Sequence, residues 1–498
     1  MALTRKERAK QQETKRMSGL KYIGIFCCLL AFSGRAQISF FKAYSDQGYE
    51  VGEGIVQLAD SGYLLTGSTS SATANAQAFI AQVDSMGNRL WTKTYGGNES
   101  ERGRRIFYVE NDGIYVAGQS NSGTNFHDAY FFKTDPDGNL LYEKTYGSPA
   151  YDNILDGVML PDTSFLLVGE TYDTPNEREN MYLMRIDKTG DTLWTKNIGS
   201  DGKDVARSVQ MLNDTIVYIA GEYYVADSLQ GKAMLMRLHI DGTVEWIKTF
   251  GANGVYAFND LHISGTTIRV VGNHVYNAET GYRHQYVFRC DDNGIPDIQY
   301  DDVHDGDFSF EHLVHFGSDP DHFYFCTKAS DSPEIVTYED GSDVVVYRFN
   351  GGGMYYVGPS FFPSNTGDDV VNEAISTSDG GAMLIGWNER PVNGGSNVIL
   401  IKIGPNDQFA FSHTIPQMES LVSIEETKAE SVGFYPNPVQ DVLFIPAAGK
   451  NTVQVYDQLG KLVLEKSVTD GKLNVSGLNP GLYFLSTGES GKQKFLKE

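Results

Sequence analysis

Cysteine is scarce in this 498-residue chain, with four residues, two of them (Cys27 and Cys28) near the start. That excludes a disulfide-stapled scaffold. The other two, Cys290 and Cys326, fall on strand-like segments of neighbouring repeats, where an oxidising compartment permits a bridge without requiring one. Basic charge is also in deficit: 40 Lys and Arg stand against 64 Asp and Glu, a formal net charge of −24. Such a balance argues against nucleic acid and anionic membrane surfaces as partners. No apolar run is long enough to span a bilayer, so no membrane span is expected in the mature chain. Familiar catalytic signatures are missing too: there is no G-x-S-x-G elbow, no P-loop and no G-x-G-x-x-G after a strand. The densest polar stretch, Asp301 to His315, carries E-H-x-x-H at Glu311 to His315 instead of the H-E-x-x-H of a zinc protease. It also places Val303 and His312 where a calcium loop needs oxygen ligands. It reads as a solvated loop between repeats, and no metal or cofactor is expected.

What the chain does have begins with residues 1–36. Arg5, Lys6, Arg8, Lys10, Lys15, Arg16 and Lys21 precede a short apolar run, Tyr22 to Phe32, and small residues Gly34 and Ala36 follow. This is the pattern of a secretory signal peptide cut before Gln37. Its removal leaves 32 basic and 62 acidic residues, a net charge of −30.

Between Gly48 and Phe411 one unit recurs seven times. The glycine closing a short apolar run stands at Gly67, Gly118, Gly169, Gly221 and Gly272, then drifts to Thr327 and Gly386; a bulky residue after a D-x-x-G turn keeps step at Trp91, Tyr142, Trp194 and Trp246. A fixed period of about 51 residues marks a supersecondary unit that buries its faces only by stacking. Two tight turns and four β-rich segments per copy, as in Arg104 to Tyr146, suit a β-propeller blade better than a solenoid coil. The expected fold is all-β: a seven-bladed β-propeller over 37–415, a linker at 416–431 and a small immunoglobulin-like β-sandwich over 432–498. Ile38 to Tyr44 (ISFFKAY) repeats the register of Leu90 to Tyr95 (LWTKTY), and so offers itself as the strand that latches the ring. Phe409 to Ile415 offers the same strand, and both stay open.

Strand alternation puts the second-to-third loops and the connections between units on one face. Those loops vary most, from Thr171 to Asn180, Tyr223 to Gly231, His274 to Gln285, Lys328 to Ser342 and Trp387 to Asn397, and variable loops on a rigid scaffold carry function. Tyr172, Tyr223, Tyr224, Tyr276, Trp387, Glu389 and Arg390 are the candidate ligand-binding residues there. Aromatic planes beside carboxylates suit an extracellular glycan, peptide or protein. No catalytic residue is assigned. The alternative is a carbohydrate-active or other hydrolytic enzyme with acids converging on the channel. Asp84, Asp135, Asp187 and Asp291 each open a D-x-x-G turn, where an aspartate accepting backbone N–H groups is the expected role.

The last 66 residues hold Tyr435-Pro436-Asn437-Pro438, a D-x-x-G-K turn ending in Gly460 and Lys461, L-x-x-G-x-Y with Gly481 and Tyr483, and a basic end with Lys492, Lys494 and Lys497. Together these closely resemble the type A C-terminal sorting domain of the type IX secretion system. The resemblance implies passage through the Sec system, the type IX machinery of a Bacteroidota-type bacterium as partner, removal of the tail, and a final place at the outer-membrane surface or outside the cell.

Overall fold

The structure, a computed structural model, describes residues 39–45, 48–70, 75–97, 99–121, 127–147, 151–173, 178–225, 230–251, 254–275, 283–302, 307–315, 322–330, 343–350, 353–356, 367–389, 395–405, 417–419, 439–444, 451–457, 461–468, 471–486 and 493–497. It divides into two compact units, Met1–Leu421 and Val422–Glu498. No described helix is long and apolar enough to cross a membrane.

In the first unit a short strand β1 (Phe40–Tyr44) precedes the first meander, β2 (Tyr49–Gln57), β3 (Tyr63–Ser70), β4 (Gln77–Val83) and β5 (Arg89–Tyr95). Five further four-stranded antiparallel meanders follow, with inner strands Glu101–Val109, Asp152–Met159, Val205–Asn213, Val255–Ser264 and Asp307–His315. The last meander has three strands of its own, Asp369–Ser376, Ala382–Glu389 and Ser396–Ile403. Successive meanders pack face to face, which is a β-propeller arrangement. Adjacent residues on one strand therefore serve different cores. Leu64 packs against Ile106, Val116 and Phe132 of the second meander, whereas Leu65 joins Ile385 and Leu400 of the last.

The glycine that sets the period has a backbone cause. Every inner strand carries a β-bulge, between Gly52 and Gly54, Gly103 and Arg105, Ile154 and Asp156, Ala206 and Ser208, Phe258 and Asp260, Phe310 and His312, and Val371 and Glu373. Directly opposite stand Gly67, Gly118, Gly169, Gly221, Gly272, Thr327 and Gly386. At Gly169 a Cβ would come within 2.9 Å of the Asn153 carbonyl carbon and closer still to its oxygen. At the six glycine positions the kinked inner strand thus presses its backbone onto the second strand, and hydrogen is the side chain that fits; the sixth meander carries Thr327 there.

The strand that completes the last meander is β1. It pairs antiparallel with Ser396–Ile403, from Phe40 opposite Lys402 to Tyr44 opposite Val398. Its contacts copy those of β5. Tyr95 donates to the Gly138 carbonyl at 2.8 Å and Lys93 to Asn139 at 2.8 Å, with Trp91 against Gly138. Tyr44 donates to the Gly87 carbonyl at 2.6 Å and Lys42 to Asn88 at 3.1 Å, with Phe40 against Gly87. The rival segment Phe409 to Ile415 lies outside the described residues. Within the stretch read as linker, Gln417–Glu419 forms a strand that pairs in parallel with the outer edge of β1.

The D-x-x-G turns behave as expected. Asp84 accepts the N–H groups of Met86 and Asn88, both at 2.8 Å, and Asp291 those of Asn293 at 3.0 Å and Ile295 at 2.8 Å, while Gly87 and Gly294 take φ of 74° and 69°. The stretch Asp301 to His315 is not a solvated loop: Pro296–Asp302 and Asp307–His315 are strands, and Phe310, Leu313 and Val314 are buried. Its alternating apolar residues outweigh its charges, because the strand is packed on both sides. Cys290 is a buried free thiol, so no bridge forms there.

The second unit has a four-stranded sheet ordered Leu462–Val468, Asn451–Tyr456, Gly481–Ser486, Gln493–Lys497, and a two-stranded pairing of Val442–Phe444 with Lys472–Asn474. Val439, Leu443, Val453, Val455, Val468, Leu473, Val475 and Leu485 form its core.

Candidate functional site

The bulges place a ring of side chains around the channel. Immediately after each bulge stand Gly54, Arg105, Asp156, Ser208, Asp260, His312 and Glu373. Arg105 bonds Asp156 through Nε at 2.7 Å and reaches Glu373 with its other arm. Asp260 accepts the Ser208 hydroxyl at 2.8 Å and lies 3.8 Å from His312 Nδ1. Each carboxylate also accepts a backbone N–H from the next meander: Val209 to Asp156 at 2.7 Å, Leu313 to Asp260 at 3.0 Å, and Ile55 to Glu373 at 2.6 Å. The bulged residues add a second course, with Asn259 donating to the Phe310 carbonyl and Asn372 to the Gly52 carbonyl, both at 2.8 Å.

Burial raises the Asp156 pKa, a rise that Arg105 and the Val209 N–H offset only in part. Burial works the same way on Asp260, but His312, the Leu313 N–H and Ser208 outweigh it and the pKa falls. Below the ring, towards the short turns, His262 stacks on His315 with centroids 5.5 Å apart and planes 7° apart. Burial, with His315 beside it, pushes His262 down to about 4. These groups line a channel cavity of about 320 Å³. Among the described residues no cluster of three His, Cys, Asp or Glu is placed to hold a metal ion.

At the long-loop end the candidates separate. Tyr172 is not on a loop; it ends the strand Phe165–Asp173, opposite Glu179. Its ring stacks on Tyr151 at 6.2 Å and 15°. Around this pair lie Glu170, Glu179 and Lys203, with Lys203 Nζ 2.8 Å from Glu179. Burial, then the Glu170 and Glu179 carboxylates, raise the Tyr151 pKa. Tyr223 and Tyr224 likewise continue a strand, Ile216–Val225, opposite Lys232 and Gly231. Tyr223 packs on the apolar cluster between the third and fourth meanders, and Tyr224 covers Gly202 while its N–H donates to buried Asp204 at 2.8 Å. Trp387 and Glu389 lie on Ala382–Glu389 of the last meander; Trp387 is half-buried opposite Val370 and Val398, and Glu389 is exposed beside the Gly367–Asp368 turn. The strands run further than the sequence suggests because their aromatic ends continue the pairing. Tyr276 and Arg390 lie outside the described residues. The neighbours of Tyr172, namely Tyr151, Glu170 and Lys203, are not among the sequence candidates, since all three lie outside the variable stretch Thr171 to Asn180.

In the tail, Lys461 closes the D-x-x-G-K turn, its N–H donating to Asp457 at 2.9 Å. Gly481 and Tyr483 lie on one strand and Lys494 on the next, opposite Phe484. Tyr435, Pro436, Asn437, Pro438 and Gly460 lie outside the described residues.

The family described as secretion system C-terminal sorting domain matches residues 433–498. This segment is a type IX sorting domain, which implies export to the cell surface or the extracellular space. Beta-agarase D of Zobellia galactanivorans is 39% identical over 71 residues, 14% of this chain and 15% of its own. Ulvan lyase NLR42 of Nonlabens ulvanivorans is 26% identical over 174 residues, 31% of each chain. The chain therefore spans less than a third of either relative. Among solved structures, the propeller domain of the Trilobed protease from Pyrococcus furiosus covers 73% of this chain and 96% of its own, at 9% identity and a TM-score of 0.39. The Neurospora crassa Pan2 WD40 domain covers 72% and 90%, at 12% identity and 0.38. The propeller arrangement is carried by the successive four-stranded meanders themselves.

Proposed function

We propose that this chain is a signal-peptide-led (1–36), type IX-exported binding protein of a Bacteroidota-type bacterium. In this reading residues 37–415 form a seven-bladed propeller closed by β1, residues 416–431 form a linker whose start, Gln417–Glu419, pairs with β1, and 432–498 fold as an immunoglobulin-like sandwich. The long-loop end takes an extracellular glycan, peptide or protein without chemistry. The supporting observation is the state of the channel acids. Asp156, Asp260 and Glu373 each accept a backbone N–H from the next meander and at least one side-chain donor. On each of the three, both oxygens are held by donors of neighbouring strands, which favours joining blades over proton transfer to a substrate.

At the long-loop end the Tyr151–Tyr172 pair, flanked by Glu170, Glu179 and Lys203, offers a stacking plane beside directional hydrogen-bonding groups. Tyr223, Tyr224, Tyr276, Trp387, Glu389 and Arg390 complete the proposed face. The second reading, a carbohydrate-active enzyme, is favoured by the names of the two curated relatives, an agarase and an ulvan lyase. The same names favour a glycan as the ligand class. The test is a glycan and peptide array with the secreted chain, repeated with Tyr172→Ala and Trp387→Ala. Tenfold or greater loss with Tyr172→Ala is expected, and unchanged binding in both variants removes this face. Product release from a polysaccharide panel overturns the non-enzymatic reading.

A further inference from the structure

The four-stranded sheet of the sorting unit has two edges, and they differ. The edge strand Gln493–Lys497 is covered: Val439 bridges Lys497 in parallel and its N–H donates to the Leu496 carbonyl at 2.8 Å. The opposite edge strand, Leu462–Val468, pairs with Asn451–Tyr456 on one side, and no described residue pairs with it on the other. Seven residues long and free of proline and glycine, it exposes Leu462 at 41% and Val463 at 38%. Leu464 and Val468 alone turn towards the core. Glu465, Lys466 and Ser467 are exposed further along it, so the apolar part of this edge is its start, and an open edge with an apolar start is a template for another strand.

The sorting motif itself presents this edge. Asp457 N–H donates to the Lys461 carbonyl at 2.9 Å and Lys461 N–H returns to the Asp457 carboxylate at 2.9 Å, so the D-x-x-G-K turn fixes where the edge strand begins. A bulge between Val455 and Tyr456 leaves Val463 without a partner position on the inner side.

We propose that Leu462–Val468 is the docking strand of the sorting domain, extended by a β-strand of an export-machinery protein. The inference rests on the sorting-domain assignment and is independent of any ligand on the propeller. The occupant follows from the family match, which covers almost this whole unit and gives its surfaces to export. Strand addition also reads backbone more than side chains, as a receptor for many cargoes requires.

The test is made on the full chain in the producing bacterium, with periplasmic, surface and medium fractions compared for Val463→Lys and Val463→Thr. A lysine at its apolar start, in addition to Lys466, opposes pairing there, whereas threonine keeps the β-branch. Val463→Lys is expected to cut the exported fraction at least tenfold and accumulate in the periplasm while melting like the parent; Val463→Thr is exported normally. Glu465→Cys, exposed on the same strand, is then cross-linked in cells alongside Asn479→Cys on an exposed turn. A machinery adduct from position 465 that is weak or absent from position 479 supports the docking strand even if Val463→Lys fails to fold. Normal export of Val463→Lys, equal adducts from both positions, or an adduct only to a second copy of this chain would overturn it.

Discussion

Replacing Gly169 by alanine tests why the repeat exists. The new Cβ would lie 2.9 Å from the Asn153 carbonyl carbon, 3.1 Å from the Ile154 Cα, and nearer still to the Asn153 oxygen. All three obstacles are backbone atoms, so no rotamer change relieves them. The strands Asp152–Met159 and Phe165–Asp173 must part at the bulge that presents Asp156 to Arg105 and Val209. Overpacking of this kind costs about 1–3 kcal/mol, and a rigid obstacle puts this case near ~3 kcal/mol. With an unfolding entropy of about 2.1 cal/mol/K per residue over roughly 380 residues, that is a fall in Tm of about 4 °C. Gly97→Ala is the matched control, since a Cβ there meets nothing within 4 Å; a lower unfolded-state entropy leaves Tm level or slightly raised. Differential scanning calorimetry of the two variants decides the matter. If Gly169→Ala melts within about 1 °C of Gly97→Ala, the bulge account of the period is refuted.

Glu373→Leu leaves the Ile55 N–H without its acceptor and Arg105 with Asp156 alone. A loss of about 2–4 kcal/mol is expected in equilibrium urea unfolding, against little change for exposed Glu465→Leu in the other unit. Stability should also respond to acid through His262. The unfolded side chain takes its proton near pH 6.5 and the folded one only near 4, so the contribution is complete above 6.5 and is lost as pH falls through that window. Between pH 7.5 and 5 this amounts to about 2 kcal/mol. Melting curves of His262→Gln should show a shallower slope there, and an unchanged slope assigns the acid response elsewhere.

The glycines and the D-x-x-G aspartates were legible because the backbone demands the same residue each time. The channel ring was not. Its positions recur as strictly as the glycines, yet Gly54, Arg105, Asp156, Ser208, Asp260, His312 and Glu373 share no single residue type, since each only has to match its neighbour. His312 therefore read as part of a polar loop, when its strand is packed on both faces. The latch was half legible: FFKAY matches LWTKTY, but the choice between the two chain ends depends on pairing with Ser396–Ile403, which no local pattern encodes. At the long-loop end Tyr172, Tyr223 and Tyr224 are identical in type, yet Tyr172 stacks on Tyr151, Tyr223 packs on an apolar cluster and Tyr224 covers Gly202, surroundings that residue type alone does not separate.

The clasp from Glu373 to Ile55 joins residues 318 positions apart. Bringing such distant points together costs about 5 kcal/mol in chain entropy from length alone, and nothing in the first meander repays it until the last has been made. The clasp and the pairing of β1 must therefore wait until almost the whole first unit has emerged. On the proposed signal-peptide route such delayed closure is a kinetic asset, since the slowest contact to form is the one that seals the chain.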